Sequence, residues 1–521
     1  MFRWIFPETI SGDPVEQILA NRDYDESFLN PSLDDLPDAS LLKNLDTAVE
    51  RILTALWKKE KIIIFGDDDP DGVISTYILF DFLEKIGSQH HYYFIPNRLR
   101  ENHGMQTSFI EFALKQKADL VITVDGGSSS IEGVATLNKN NIDVIITDHH
   151  LMPQKVPEAY TIVNPKQEDC NYPEKMLCGA GIVYLLISKM AEQLQIEFDG
   201  GYLLWTAVAT IADKAPLTGV NRIFCLEALR RWFDYEDLNM SFLSHYHNVF
   251  DDINSKLSFI SFIYKIISSG RVPIGNNLGL ELLLASKFEK PRIIEKLISE
   301  KDSYESKIQD TINFLQHLEP KDDYFIFFDK YNDIDTQLLG MAATYIAGTY
   351  MIPALFFTHK NGALVCEGRC TSGFNLVNAF TYCEDYLIQY GGHARAAGLM
   401  IEPENLEGFK AKWSEYVELN RGYMNTHRRL KIDAEITPLD ISRKLIQHLK
   451  QFMPFGQKNP DPIFLMQNLY PFTYHDQYPN AVHFFFTNNF EPDKETAYDI
   501  VFSLRNDFIL NVLDYKKSAS N

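Results

Sequence analysis

The sequence predicts an α/β fold: a doubly wound parallel sheet, then a helical connector, a smaller α/β domain and a C-terminal β-rich domain. Three observations carry this reading. Between Lys61 and Asp213, short β-rich runs alternate with stretches of helical period. The runs are almost continuously apolar, as in strands buried on both faces. Several of them end in aspartates, at the edge where open α/β sheets bind their ligands.

The expected strands are Ile62–Phe65, Tyr92–Ile95, Leu120–Val124, Val144–Thr147 and Thr161–Val163. Between them Val73–Leu83, Phe109–Gln116 and Ile131–Asn140 place apolar residues at helical spacing. Asn221 to Glu319 is charged and periodic, which reads as a helical connector. Strand patterns resume at Tyr324–Phe328, Ala354–Phe357 and Ala363–Val365 and close on a helix near Leu406–Leu419. The last segment, Arg428–Tyr515, alternates apolar and polar residues and reads as β-rich. The expected divisions are an acidic segment 1–50, the sheet domain 51–220, the connector 221–320, the second α/β domain 321–420 and the terminal domain 421–521. Gln337 to Thr358 carries no formal charge over a bilayer-spanning length. Pro353 splits it into a helix and a strand, so no membrane span is expected.

A 521-residue chain with 45% hydrophobic and 23% charged residues can bury several cores. Its formal charge of −22 argues against coating nucleic acid or membrane through bulk charge. The excess is uneven, since residues 1–50 hold eleven acids against Arg3, Arg22 and Lys43. Six scattered cysteines without a CxxC pair suit a reducing compartment and offer no zinc spacing. The N-terminal apolar run is broken by Pro7 and Glu8, so a cytoplasmic location is expected.

The chemistry concentrates at strand ends. IIIFGDDDPDG crowds Asp67, Asp68, Asp69 and Asp71 before Gly72. Carboxylates this close repel unless cations neutralise them; a solvated acidic turn is the bland alternative for this string alone. The next strands repeat the theme, Leu120–Val124 running into Asp125-Gly126-Gly127 and Val144–Thr147 into Asp148-His149-His150. An apolar helical stretch, Leu203–Ile211, then leads to Asp213. Carboxylates with imidazole and no thiolate suit Mn²⁺ or Mg²⁺. This many anionic ligands exceed the need of one ion, and a two-metal site does in-line attack at phosphorus.

GDDDPDG, VDGG, DHH and ATIADKAPL, in that order, resemble the four motifs of the DHH phosphoesterase superfamily. Downstream, EGRCTSGFNL and GGHARAAGL resemble the DHH-associated domain, and MPFGQKNPDPIF resembles a signature of the RecJ-type exonucleases. The resemblance runs from about Arg22 to near the end of the chain. It implies a 5′-directed exonuclease of single-stranded DNA acting in repair and recombination, with two Mn²⁺ or Mg²⁺ ions and an OB-like domain on the strand. By motif it implies Asp67, Asp69, Asp71, Asp125, His149 and Asp213 as metal ligands, with Asp125 bridging. Asp148 would orient His149, and His150 would face the scissile phosphate. Arg98, Arg271, Arg369, Gly391, Gly392 and His393 would bind substrate. Phe452, Phe455, Phe464, Tyr470 and Phe472 are offered for base stacking, with core packing as the alternative. A helicase or single-strand-binding protein is a candidate partner, and a monomer is expected.

The sequence also departs from the family. Asp68 and Pro70 stand where an aromatic and a small residue are usual, and LRENHG, SSGR and EGRC replace patterns nearer EGYG, NAAGR and GSGR. The metal motifs are intact while the DNA-contacting motifs have drifted. Two other functions remain in play: a phosphodiesterase of short oligonucleotides or cyclic dinucleotides, which needs only two lobes, and a silent replication scaffold, which would lose metal ligands.

Overall fold

The computed structural model describes residues 2–8, 12–97, 101, 104–198, 201–232, 243, 245–247, 251–271, 276–331, 333–360, 362–424, 427–470, 483–486, 493, 495–505 and 509–518. The chain divides into two compact units, Met1–Pro7 with Asp302–Ile432 and Glu8–Lys301 with Asp433–Asn521. These divisions cut the acidic segment and the connector rather than following their ends.

After β1 (Phe2–Ile5), which belongs to the smaller unit, the larger unit opens with α1 (Pro14–Arg22) and α2 (Leu45–Lys58). Its sheet has five parallel strands in the order β3-β2-β4-β5-β6. They are β2 (Ile62–Phe65), β3 (His91–Phe94), β4 (Leu120–Val124), β5 (Asp143–Thr147) and β6 (Thr161–Val163). Successive side chains alternate between two cores. Ile62, Ile64, Leu120, Ile122 and Ile145 pack with α2, α3 (Pro70–Lys85), α6 (Gly179–Leu194), α7 (Gly201–Ala212) and α8 (Gly219–Arg230). Ile63, Phe65, Val121, Val144 and Ile146 pack with α4 (Thr107–Gln116) and α5 (Ile131–Lys139). Burial on both faces explains why these strands read as unbroken apolar runs.

The connector forms α9 (Ile253–Ser268), α10 (Leu278–Leu284) and the 26-residue α11 (Lys290–Leu315). In the smaller unit, β7 (Phe325–Asp329), β8 (Ala354–Lys360), β9 (Ala363–Arg369), β10 (Leu387–His393) and β11 (Ala396–Ile401) pair in the order β10-β11-β9-β8-β7. α12 (Leu339–Tyr350) makes the crossover between parallel β7 and β8. The uncharged segment checked for a membrane span is therefore a 12-residue helix plus a strand. Among the described residues no helix is long and apolar enough to cross a membrane. α13 (Leu376–Tyr382) and α14 (Leu406–Asn420) cover the sheet, with Trp413 fully buried. β12 (Arg428–Lys431) pairs with β1, so the start of the stretch expected to form the terminal domain, residues 421–432, lies in this unit instead.

The terminal sheet of the larger unit has the order β13-β14-β16-β17-β15. Its strands are β13 (Ala434–Glu435), β14 (Ile463–Leu469), β15 (His483–Phe486), β16 (Tyr498–Arg505) and β17 (Ile509–Lys517), with α15 (Arg443–Lys450) beside them. Phe452 and Phe464 are fully buried in its core and Phe455 packs against it, which leaves these three as packing residues rather than an open stacking platform. Tyr470 is exposed, and Phe472 lies outside the described residues.

The acidic N-terminal segment is tied to this sheet. Arg22 forks onto Asp433 at 2.7 and 2.8 Å and also donates to Asn459 Oδ1, while Gln17 exchanges hydrogen bonds with the Glu435 backbone. Fully buried Arg222 of α8 donates to the carbonyls of Phe28, Gln451 and Phe452 and stacks on the Phe28 ring. A guanidinium can be buried there because backbone dipoles satisfy its donors.

Candidate metal centre

The acidic loop after β2 is shaped by α3. Asp69 caps the helix by accepting the Gly72 N–H at 3.0 Å, and Pro70 stands in the first turn, where its missing N–H costs nothing. A side chain at Gly72 would lie 2.5 Å from Asp67 Cβ, so only glycine lets the loop fold back on the helix. Asp71 is buried, and its two oxygens accept the N–H groups of Gly179 (2.6 Å) and Ala180 (2.9 Å), which open α6. The positive end of that helix thus faces a carboxylate.

Asp125 follows β4 in a left-handed conformation, φ 57°, with Gly127 at φ 108° completing the turn. Its side chain is buried against α6, where a Cβ on Gly179 would lie 2.6 Å from Asp125 Cβ. After β5, His149 points Nε2 to within 3.0 Å of Asp125 Oδ1 and 3.8 Å of Asp71 Oδ2, and its Nδ1 lies 3.9 Å from Asp213 Oδ2. Asp213 follows the last turn of α7.

Three overlapping groups have ligand atoms within 4.8 Å of one another: Asp67, Asp69 and Asp125; Asp71, His149 and Asp213; and Asp125, His149 and His150. All six residues matched to ligand positions are therefore brought together, and Asp125 and His149 each take part in two groups. Among the described residues neither oxygen of buried Asp125 has a hydrogen-bond partner; the His149 contact is close but not aligned as a hydrogen bond. Unsatisfied buried carboxylate oxygens are costly unless something positive lies between them. Burial, then repulsion from Asp71 and Asp69, pushes Asp125 far above the usual carboxylate range. The same causes lift Asp213 to about 7. The donors are hard oxygens with imidazole, and the one nearby thiol, Cys178, is buried and held protonated by burial and Asp71. This set fits Mn²⁺ or Mg²⁺ rather than a thiolate metal.

Asp148 plays a different part. Its Oδ1 accepts the backbone N–H groups of His149 and His150 and the His150 ring Nδ1 at 2.9 Å, and its Oδ2 accepts the Ser128 N–H. Burial would raise its pKa, but the His150 bond and charge outweigh that and hold it well below normal. The imidazole it orients is that of His150. This corrects the expectation that it fixes the His149 ring, which it reaches only through the backbone. The bond to Asp148 raises the pKa of His150.

The expected substrate residues are less gathered. Arg98 lies outside the described residues. Arg271 turns back on the acidic loop, with its guanidinium 3.1 Å from Asp68 Oδ1 and Nε donating to the Asp68 carbonyl. In the smaller unit, Arg369 is paired with Glu367 at 2.9 Å. Gly391, Gly392 and His393 lie on β10, paired with Gly398, Ala397 and Ala396 of β11. A cleft of about 630 Å³ in that unit is lined by Glu367, Gln389, Tyr390, Gly391 and Gly398 among others, and His393 is exposed outside it. Sequence reasoning missed Gly179, Ser128 and Asn164, whose roles depend on contacts between loops distant in the chain.

Residues 61–210 match the family model for the DHH family, N-terminal domain, and residues 432–477 match the RecJ OB domain. The single-stranded-DNA-specific exonuclease RecJ of Bacillus subtilis is 27% identical over 87% of this chain and 58% of its own length, so this chain spans little more than half of that relative. The Escherichia coli protein of the same name is 26% identical over 81% of this chain and 78% of its own. Among solved structures, Thermus thermophilus RecJ in complex with Mn²⁺ superposes with a TM-score of 0.80 at 22% identity, covering 99% of this chain and 80% of that one. An exonuclease RecJ bound to manganese gives 0.63 at 27% identity over 74% of this chain and 96% of its own.

Proposed function

From a chain that carries a DHH-family N-terminal domain and a RecJ OB domain, we propose a metal-dependent exonuclease that hydrolyses single-stranded DNA from the 5′ end, in repair and recombination. The observation that carries it is the convergence of Asp67, Asp69, Asp71, Asp125, His149 and Asp213 at the ends of β2, β4 and β5 and of α7, with both Asp125 oxygens unsatisfied. These six residues would hold two Mn²⁺ or Mg²⁺ ions, with Asp125 shared between them. Bound there, the cations supply Lewis-acid activation of water and neutralise charge at the phosphorus.

The chain's own residues do the rest. Asp71, anchored by the start of α6, fixes the floor of the site. Asp148 holds the His150 ring toward substrate and favours its protonated form, which can donate to a phosphate oxygen. Arg98, Arg271, Arg369, Gly391, Gly392 and His393 belong to strand binding in this reading. A cytoplasmic monomer working beside a helicase or a single-strand-binding protein is part of the same proposal.

The test is incubation with Mn²⁺ and 5′- or 3′-labelled single strands, duplexes and dinucleotides, with Asp125→Ala as control. Stepwise release of mononucleotides from 5′ ends of single strands is expected, and loss of it in the control. Cleavage of dinucleotides alone would replace this reading with the short-oligonucleotide phosphodiesterase, and no cleavage at all would favour the scaffold.

A further inference from the structure

Beyond the C-terminal end of β6 the chain turns through Asn164, Pro165 and Lys166. Asn164 is fully buried, and its side chain ties three loops together. Oδ1 accepts the Lys166 N–H at 2.9 Å, and Nδ2 donates to the His150 carbonyl at 3.0 Å and to the Ser128 hydroxyl at 3.3 Å. Ser128 in turn donates its N–H to Asp148. The Lys166 turn is thus fixed to the loops that carry Asp125, Asp148 and His150.

Lys166 is half-buried; burial lowers the pKa of its ammonium, and Asp148 and Asp213 act to raise it. Among the described residues that ammonium makes no hydrogen bond or ion pair. A lysine partly withdrawn from water in the field of two carboxylates, yet joined to neither, keeps its three donors for another anion.

Resting on the exonuclease reading, we propose that Lys166 is a substrate-binding residue whose ammonium contacts the phosphate at the cleavage site, and that Asn164 is the positioning residue that holds it there. A compact, mobile point charge suits a phosphate whose negative charge shifts during reaction. The ligand class is a phosphodiester of a single strand. No sequence motif singled out either residue.

The test uses the full chain and a labelled oligo(dT), with binding followed by anisotropy in Ca²⁺ and cleavage in Mn²⁺. A charge-assisted contact predicts that Lys166→Ala weakens binding about tenfold. Losing one phosphate contact makes the slope of log affinity against log salt shallower by about 0.7. KM for cleavage rises, the thermal shift produced by Mn²⁺ is unchanged, and Lys166→Arg restores most of the binding. Asn164→Ala reproduces the loss but adds nothing in the Lys166→Ala background, which a merely structural role would not do. An unchanged salt slope, or loss of the Mn²⁺ shift together with binding, overturns the proposal. If wild type cleaves and Lys166→Ala matches it in affinity, only this inference falls. If wild type binds and cleaves no strand, the exonuclease reading falls with it.

Discussion

The Arg271 guanidinium lies 3.1 Å from Asp68 Oδ1 and also donates to the Asp68 carbonyl, so the connector and the acidic loop are pinned at the same residue. Asn277 Nδ2 reaches that carbonyl too, at 3.4 Å. The unusual acid of the loop therefore faces a cation 203 residues away.

Asp68 is 1% exposed, and Arg271→Ala leaves its charge without this partner. The expected loss is about 1–2 kcal/mol in urea unfolding, since charge-assisted hydrogen bonds carry roughly that much. Adding Asp68→Asn to Arg271→Ala recovers much of it because the buried charge is gone. Strictly additive losses in the double variant would show that the two residues do not act as a pair.

Metal removal should expose the crowding at Asp125. In EDTA, Asp125→Asn raises Tm by about 1–2 °C, the shift that roughly 1 kcal/mol gives a unit of this size, because the cost of burying that carboxylate ionised, or of protonating it on folding, is removed. Mn²⁺ then stabilises wild type but not the variant, since ligand binding to the native state adds stability by mass action. Differential scanning calorimetry with and without Mn²⁺ reads both effects, and an equal Mn²⁺ shift in the two proteins would remove Asp125 from the ligand set.

Gly179 is a steric test of the same site. Its replacement by alanine puts a methyl 2.6 Å from Asp125 Cβ and 2.9 Å from its Cα. Overpacking of this kind costs about 1–3 kcal/mol and moves backbone. Gly179→Ala should therefore fold, as judged by circular dichroism, while its Mn²⁺-dependent cleavage drops by at least about tenfold, as for disturbed ligand support. Full activity would mean that α6 does not set the position of Asp125.

A pH effect is expected at Lys290, which is 3% exposed and whose ammonium burial and Lys287 push down to about 8. Its pKa is lower folded than unfolded, so between about pH 8 and 10.5 the unfolded chain binds the extra proton and stability rises with pH from this group. Urea midpoints at pH 7.5 and 10 should show wild type gaining on Lys290→Met. A constant difference between the two proteins would contradict the assignment.

The acids of the site were legible because the sheet is regular. An apolar run followed by aspartate says both where a strand ends and that its acid lies at the ligand-binding edge, which holds for Asp67, Asp125 and Asp148. Tertiary contacts were not legible. Asp148 and His149 adjoin in sequence, yet the ring that Asp148 bonds is the next one, because the chain turn swings His149 toward Asp125. Phe452 and Phe464 sit in an aromatic, polar-rich segment that reads equally as stacking surface or core, and only the packing of the terminal sheet separates the two.

By itself, then, the sequence determined the parallel sheet, the helical character of the stretch that forms α9 to α11 and the identity of the six clustered residues, since periodicity and strand-end chemistry are local properties. The tertiary structure alone decided that the α6 N–H groups hold Asp71, that Arg271 answers Asp68, that Asn164 joins three loops and that the acidic N-terminal segment is clamped by Arg22 and Arg222. The reason is physical: hydrogen bonds and ion pairs between residues far apart in the chain depend on distances and angles that no local pattern of residue types encodes.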